Sequence, residues 1–285
     1  MELRGLYTAL ITPFNNGNVS FEKIKELVDI QLEAGVDGIV PMGTTGESPT
    51  ISTQEHLKVI ETVIKRVEGR CQIIAGTGAN ATYEAVHQTS EAKKMGADAS
   101  LQVTPYYNKP TQEGLYRHFS NVADVGLPIV LYNVPGRSSL AIDIDTVKRL
   151  SSHPNIIAIK EAGGSVDRVS EILNSCNITV LSGDDALTLP MMSVGAKGLI
   201  SVASNLYPKP IKEMIDAGLA GDWNKARKIH FKYYQFMKSL FIETNPVPIK
   251  AAMARVGLIS EEYRLPLCNI SNANKKILFD TIDSI

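Results

Sequence analysis

A lysine at the end of an apolar run is a candidate nucleophile. The run IIAI at 156–159 is followed directly by Lys160 and Glu161. An ammonium group at the end of a buried strand loses hydration, which favours the neutral amine that attacks a carbonyl carbon. A lysine in this place can also extend its charge to solvent or pair with Glu161, so its position alone leaves these interpretations open.

Three further segments carry groups that a reaction on a carbonyl compound would use. Tyr132 ends the run IVLY and can move the protons that imine formation requires. The loop GTTGE at 43–47 offers two hydroxyls and several backbone N–H groups ahead of a helix, which suits a carboxylate. Arg137 follows Pro135 in a loop and can bind a second carboxylate through two hydrogen bonds. Taken singly, these are also explained as a barrel-rim tyrosine, a tight glycine turn and a surface arginine.

Short apolar runs that alternate with helical patterns precede these residues. The runs lie at 6–11, 38–40, 72–75, 99–103, 129–132, 156–159, 179–181 and 198–202. Their residues are apolar in succession, as in parallel strands that are covered on both faces. Between them, stripes such as Ile24, Leu27 and Val28 have helical spacing. Eight strands alternating with helices predict an α/β fold, a (β/α)₈ TIM barrel, whose active site lies at the carboxyl ends of the strands.

Beyond about Pro208 the pattern becomes helical only. A long helix begins near Trp223, the prolines of TNPVP at 244–248 interrupt the helical pattern, and further helices are predicted around 248–256 and 271–283. We therefore expect a catalytic barrel domain over residues 1–221 and a helical domain over 222–285 that packs on it.

Composition excludes several classes of protein. The 29 basic and 30 acidic residues leave no net field that would attract nucleic acid or a membrane surface. The three cysteines form no CxxC pair, and the five histidines show no HExxH spacing. The N-terminus has no signal-peptide pattern. We expect a reduced, cytoplasmic protein with no metal and no cofactor.

From about Leu6 to Leu267 the chain resembles the dihydrodipicolinate synthase / N-acetylneuraminate lyase family of pyruvate aldolases. The resemblance rests on six motifs in the family's order. These are GTTGE at 43–47, VTPYYNKP at 103–110, YNVPGR at 132–137, IKEA at 159–162, LSGDD at 181–185 and NPVPIK at 245–250. It implies a TIM barrel that works through a Schiff base with pyruvate.

The resemblance assigns four catalytic roles. Lys160 matches the lysine that forms the imine, and Tyr132 matches its proton-relay partner. Thr44 matches the threonine that links two tyrosine hydroxyls. Tyr107 matches the second tyrosine of that relay, which in the synthases of the family reaches into the neighbouring subunit's site.

The resemblance also assigns four substrate-binding positions. Thr45 helps to hold the carboxylate of pyruvate, and Arg137 receives the carboxylate of the aldehyde substrate. The backbone at Gly183 and Ile200 lines the pyruvate end of the pocket. Ser138 and Ser139 depart from the Thr-Gly that often follows this arginine.

Within the family, the combination of Thr44, Tyr107 and Arg137 favours the synthases, which condense pyruvate with L-aspartate 4-semialdehyde at the entry to the diaminopimelate and lysine pathway. A 2-keto-3-deoxy sugar-acid aldolase or an N-acetylneuraminate lyase is the alternative. A catalytically silent metabolite-binding barrel is a more remote alternative.

The resemblance implies two further properties, one of assembly and one of regulation. The first is a homotetramer built as a dimer of dimers. The second is feedback inhibition by L-lysine at a small cluster of polar and acidic residues: Ser48, His56, Asn80, Glu84 and Tyr106. Pro49 and Thr53 depart from the sensitive enzymes here, and these residues can also be ordinary loop and helix-start positions.

Overall fold

Eight parallel strands close into a barrel. The structure is a computed structural model that describes residues 1–285. The strands are β1 (Gly5–Ala9), β2 (Gly38–Val40), β3 (Gln72–Gly76), β4 (Ala99–Val103), β5 (Ile129–Asn133), β6 (Ile156–Glu161), β7 (Thr179–Ser182) and β8 (Gly198–Ser201). Each pairs with its neighbours in sequence, and β8 pairs with β1. The predicted TIM barrel is confirmed.

Helices follow the strands around the outside of the barrel. They are α1 (Phe21–Glu33), α2 (Thr53–Val67), α3 (Thr82–Met95), α4 (Gln112–Ala123), α5 (Ile144–Leu150), α6 (Val166–Ser175), α7 (Thr188–Ser193) and α8 (Pro208–Leu219). Ser52 and Glu55 form the predicted capping box of α2. Gly96 ends α3 at φ 96°, a left-handed conformation that glycine adopts without strain.

Two apolar cores explain why the strand runs are apolar in succession. A large cluster fills the space between the barrel wall and the helices. A smaller one, which includes Val40, Val130 and Ile200, fills the barrel interior. Successive strand residues therefore enter alternate cores, and neither face of a strand meets solvent.

Three helices follow the barrel: α9 (Trp223–Ser239), α10 (Val247–Arg255) and α11 (Asn272–Asp283). The helical pattern that begins at Pro208 thus includes α8, which packs against β1 and belongs to the barrel. The predicted boundary between residues 221 and 222 falls in the short turn between α8 and α9, and these two helices pack closely. No helix combines the length and the apolar composition needed to cross a membrane.

Candidate active site

Lys160 and Tyr132 are cross-strand neighbours inside the barrel. The register of β5 and β6 pairs Tyr132 with Lys160 directly. The lysine Nζ lies 4.2 Å from the centroid of the tyrosine ring. Only 6% of Lys160 is exposed, so its amine is held in a largely buried position against a phenol.

Glu161 does not pair with Lys160. Its carboxylate accepts hydrogen bonds from Arg168 Nε at 2.9 Å, from Asn133 Nδ2 at 2.9 Å and from the backbone N–H of Gly163 at 2.7 Å. No carboxylate lies within ion-pair distance of Lys160. Lys160 is therefore not paired with Glu161. Because only 6% of Lys160 is exposed, its side chain does not extend into solvent either.

The absence of a side chain at Gly183 leaves space for the side chain of Lys160. A Cβ atom at this position would lie 2.9 Å from Lys160 Cε and 2.8 Å from Ala162 Cβ, which is closer than such atoms approach. The backbone N–H of Gly183 donates to the carbonyl of Glu161 at 2.8 Å. Ile200 lies in the same interior cluster as Tyr132. Both residues predicted at the pyruvate end are thus in the barrel interior or directly against Lys160.

A cavity of about 190 Å³ opens beside Tyr132. Its wall contains Thr44, Tyr132 and Arg137, which the sequence had placed in one site, together with Tyr106. Lys160 itself is not part of this wall, but its Nζ contacts the Tyr132 ring, which is. The wall is largely apolar, and it also contains hydroxyls and a guanidinium, groups that suit a substrate with carboxylates.

Thr45 lies behind the cavity wall and is joined to Arg137 through Asn245. The Asn245 side-chain amide donates to Thr45 Oγ1 at 3.0 Å, and Arg137 Nη2 donates to the Asn245 carbonyl at 3.0 Å. Asn245 was not predicted to have a role, although it opens the NPVPIK motif. Its place in that motif was the only signal, because nothing in the local pattern points to a residue 200 positions earlier.

A buried ion pair that the sequence did not predict binds the end of the GTTGE loop. Lys250 Nζ donates to Glu47 Oε1 at 2.5 Å, and both side chains are fully buried. Burial lowers the pKa of Lys250, and the charge of Glu47 opposes that shift. Both residues lie within motifs that carried the resemblance, GTTGE and NPVPIK.

Tyr107 does not reach the cavity of its own chain. It is 92% exposed, on the loop between β4 and α4, and has a φ of 72°. Met42 and Glu47, on either side of the Gly43–Gly46 segment, also have positive φ values, of 59° and 58°. Non-glycine residues rarely adopt this conformation, and such residues concentrate at functional sites.

Four of the five residues predicted to bind lysine line a second cavity, of about 140 Å³. They are Ser48, His56, Glu84 and Tyr106. Asn80 is not part of this wall, and its backbone carbonyl accepts from Asn108 Nδ2 at 2.9 Å. Ser48 and Tyr106 belong to the walls of both cavities, so the two spaces adjoin.

His56 is a neutral side chain in this second cavity. Its Nε2 lies 2.7 Å from the Gly76 carbonyl, to which it donates, and its Nδ1 faces Ser48 Oγ at 3.4 Å. Burial lowers the pKa of His56 to about 4. Burial also raises the pKa of Tyr106, and the charge of Glu84 adds to that shift. The cavity thus combines a carboxylate, a phenol and an imidazole nitrogen that can accept a hydrogen bond.

Comparison with known proteins agrees with the fold and the motifs. The model of the Dihydrodipicolinate synthetase family matches residues 2–285. A 4-hydroxy-tetrahydrodipicolinate synthase from Methanococcus vannielii is 51% identical, over 99% of each chain. The solved 4-hydroxy-tetrahydrodipicolinate synthase of Methylacidiphilum fumariolicum superposes with a TM-score of 0.98 at 49% identity, over 99% of this chain and 96% of that one.

Two further solved structures contain small molecules. The chloride-inhibited dihydrodipicolinate synthase of Acinetobacter baumannii, complexed with pyruvate, is 41% identical with a TM-score of 0.97, over 99% of each chain. The enzyme of Cyanidioschyzon merolae, with lysine bound, is 38% identical with a TM-score of 0.95, over 99% of this chain and 97% of that one.

Proposed function

The chain belongs to the dihydrodipicolinate synthetase family, and from this premise we propose that Lys160 forms the imine with pyruvate on which the reaction proceeds. The activity is that of a 4-hydroxy-tetrahydrodipicolinate synthase, a lyase of the diaminopimelate and lysine pathway. It condenses pyruvate with L-aspartate 4-semialdehyde. The observation that carries the proposal is a buried lysine without an ion-pair partner, held against a tyrosine beside a cavity whose wall contains hydroxyls and a guanidinium.

The first half of the reaction makes a nucleophile from pyruvate. The neutral amine of Lys160 attacks C2 of pyruvate, and the resulting carbinolamine loses water to give the imine. Tyr132 moves protons between the nitrogen and the departing hydroxyl, since its ring already contacts the amine. Thr45 helps to hold the carboxylate, and Thr44 joins the hydroxyls of Tyr132 and of Tyr107 from the neighbouring subunit in the proton relay. Loss of a proton from C3 then gives an enamine, with the imine nitrogen as the electron sink.

The second half forms the carbon–carbon bond and releases the enzyme. The enamine carbon adds to the aldehyde carbon of L-aspartate 4-semialdehyde, whose carboxylate Arg137 binds. The amine of that substrate then attacks the imine carbon, displaces Lys160 and closes a six-membered ring. One water molecule is released overall, and Lys160 returns as the free amine. Gly183 and Ile200 shape the pyruvate end of the pocket throughout.

A steady-state assay tests the choice of aldehyde. Pyruvate consumption is measured with L-aspartate 4-semialdehyde and, separately, with N-acetylmannosamine. We expect turnover with the first and none with the second. Faster turnover with N-acetylmannosamine would identify a lyase instead, and turnover with neither would return the non-catalytic barrel as the better interpretation.

We propose that the chain assembles as a homotetramer, a dimer of dimers, with Tyr107 completing the neighbouring subunit's relay. Tyr107 is almost fully exposed near the active-site mouth, as a side chain that acts across an interface would be in one subunit. Other apolar side chains are exposed as well, among them Val194, Phe231 and Phe241, and they are candidates for a second contact between subunits.

Complementation tests the shared site. Tyr107→Phe and Lys160→Ala chains, each nearly inactive, are refolded together. A mixed dimer contains one site in which both residues are wild type, so part of the activity returns. If no activity returned, or if sedimentation showed a fully active monomer, the shared site would be wrong.

We propose that L-lysine inhibits the enzyme from the second cavity. Glu84 pairs with the ligand's α-ammonium, Ser48 and Tyr106 donate to its carboxylate, and His56 Nδ1 accepts from its side-chain amine. Asn80 joins them only through a small rearrangement, because it lies outside the wall of the cavity. The shared walls give the ligand a direct route to the active site.

A lysine titration at fixed pyruvate tests this site. Glu84→Thr removes one charged partner and should weaken inhibition at least about fivefold while leaving uninhibited turnover intact. A wild-type enzyme that millimolar lysine does not affect, or a variant that lysine inhibits equally well, would rule the site out.

A further inference from the structure

Three successive residues of the carboxylate-binding loop are held by side chains from elsewhere in the chain. Asn245 Nδ2 donates to Thr45 Oγ1 at 3.0 Å, and Thr12 Oγ1 donates to the Gly46 carbonyl at 2.7 Å. Lys250 Nζ donates to Glu47 Oε1 at 2.5 Å. Two of these three contacts come from the segment that opens α10, so the C-terminal helices hold the loop directly.

The Glu47–Lys250 pair is fully removed from water. Both side chains have no exposed surface, and Lys250 Nζ lies 4.2 Å from the centroid of the Phe14 ring. The second carboxylate oxygen of Glu47 accepts from the backbone N–H of Arg264 at 3.3 Å. Desolvation makes a buried ion pair a poor source of stability compared with an apolar pair of similar size. Its presence here therefore calls for a role in fixing geometry.

Glu47 is connected to the substrate-binding turn through its own backbone. Its N–H donates to the Thr44 carbonyl at 3.1 Å and closes the helical turn Thr44–Gly46. It does so at a φ of 58°, which is unfavourable for a residue with a Cβ atom. The side-chain bond to Lys250 opposes relaxation of this conformation. A shift of Glu47 would carry Thr44 and Thr45 with it.

We propose that Lys250 and Glu47 are positioning residues for the reaction, which hold the Thr44–Thr45 turn in the geometry that receives the carboxylate of pyruvate. This inference rests on the proposed function. Lys250 does not touch the substrate in this account. Its effect passes through Glu47 to the turn, while Thr12 and Asn245 hold the intervening residues.

The test removes both charges together, because removing one would leave the other buried without a partner. The variant is Glu47→Gln/Lys250→Met. Wild type and variant are treated with borohydride at increasing pyruvate, and the pyruvate concentration that gives half-maximal inactivation is measured. If the Thr44–Thr45 turn is displaced, the pyruvate concentration for half-maximal inactivation should rise about tenfold. A shift of about 1 Å can change reactivity by that much or more. kcat/KM for pyruvate should fall in parallel, with kcat/KM for the aldehyde unchanged.

A matched control separates positioning from stability. Lys275→Met removes a half-buried ion pair with Glu261 in the same helical region, and neither residue of that pair hydrogen-bonds to the loop at 44–47. It should lower the unfolding temperature without moving the pyruvate dependence. A folded double variant with the wild-type pyruvate dependence would overturn the proposal. If the double variant did not fold, Glu47→Asp, which keeps the charge and shortens the side chain, would decide by the same criterion.

The borohydride measurement also separates this inference from the proposed function. Wild-type protein that pyruvate and borohydride do not inactivate would refute the imine mechanism itself. Wild-type protein that is inactivated, with variants of identical pyruvate dependence, would refute only the positioning role.

Discussion

Two buried lysines, Lys160 in β6 and Lys250 in α10, have similar surroundings and different partners. Each has its Nζ 4.2 Å from an aromatic ring centroid, Tyr132 for the first and Phe14 for the second. Lys250 has a carboxylate oxygen at 2.5 Å, whereas Lys160 has no carboxylate within ion-pair distance. Burial and aromatic contact therefore do not distinguish Lys160, the proposed nucleophile, from Lys250.

The difference follows from what the neighbouring carboxylates do. Beside Lys160, Glu161 is already bound by Arg168, Asn133 and a backbone N–H, which leaves the amine without a counterion. Beside Lys250, Glu47 is free to bind it. A carboxylate at ion-pair distance favours the ammonium form of an amine, and an ammonium does not attack a carbonyl carbon. The Arg168–Glu161 pair thus keeps the carboxylate that follows Lys160 in the chain from pairing with the proposed nucleophile.

Replacing Lys160 should have the largest effect on activity, without a loss of stability. Lys160→Met removes the nucleophile, so turnover should fall on the order of 10⁴-fold or more. The free energy of unfolding should stay constant or rise, because an unpaired buried amine is replaced by an apolar side chain. Steady-state kinetics and urea unfolding on the same preparation measure both. Turnover within tenfold of wild type would contradict the assignment of Lys160.

Replacing Lys250 alone should lower the stability of the protein, whereas replacing Lys160 should not. Lys250→Met leaves Glu47 buried without its partner, which should lower the free energy of unfolding by about 3–5 kcal/mol. Adding Glu47→Gln should restore most of that loss, since neither charge then remains. Urea unfolding of the single and double variants gives both values. A single variant as stable as wild type would mean that the pair is not buried as described.

Acid should destabilise the region around Lys250 by protonating Glu55, whose carboxylate oxygen lies 2.7 Å from Arg264 Nη2. The hydrogen bond from Arg264 is the main cause that lowers the pKa of Glu55 to about 2, from an ordinary 4.5. A depressed pKa contributes stability above pH 4.5 that is lost as the pH falls towards 2. The group is partly exposed, so the loss should be about 1 kcal/mol. Unfolding of Glu55→Gln across this range should show a correspondingly smaller pH dependence, and an unchanged dependence would contradict the assignment.

The sequence predicted the Lys160 region well. The apolar runs at 129–132 and 156–159 identified neighbouring parallel strands, and their register brings Tyr132 and Lys160 together. Strand periodicity, parallel order and the rule that sites lie at the carboxyl ends of barrel strands were sufficient for this. The strand β6 continues through Glu161, slightly beyond the predicted run, because Glu161 still pairs with Asn133 and Ser182 on the two neighbouring strands.

The sequence could not predict the Lys250 region by the same means. Glu47 and Lys250 are 203 positions apart, and neither has a local pattern that points to the other. Contacts between a barrel loop and an appended helix depend on tertiary packing, which periodicity does not encode.

The Ser-Ser at 138–139, where the family often has Thr-Gly, has a physical explanation. Ser139 ends the helical turn Pro135–Ser138 at a φ of 57°, where glycine is favoured, so Thr-Gly and Ser-Ser fulfil the same turn at different cost.

Mass mapping of the pyruvate adduct tests the central claim most directly. The protein is incubated with pyruvate, reduced with borohydride and digested, and the modified peptide is identified by mass spectrometry. We predict a reduced pyruvyl group on Lys160 alone, with Lys250 and every other lysine unmodified. An adduct on another lysine, or none on Lys160, would contradict the account.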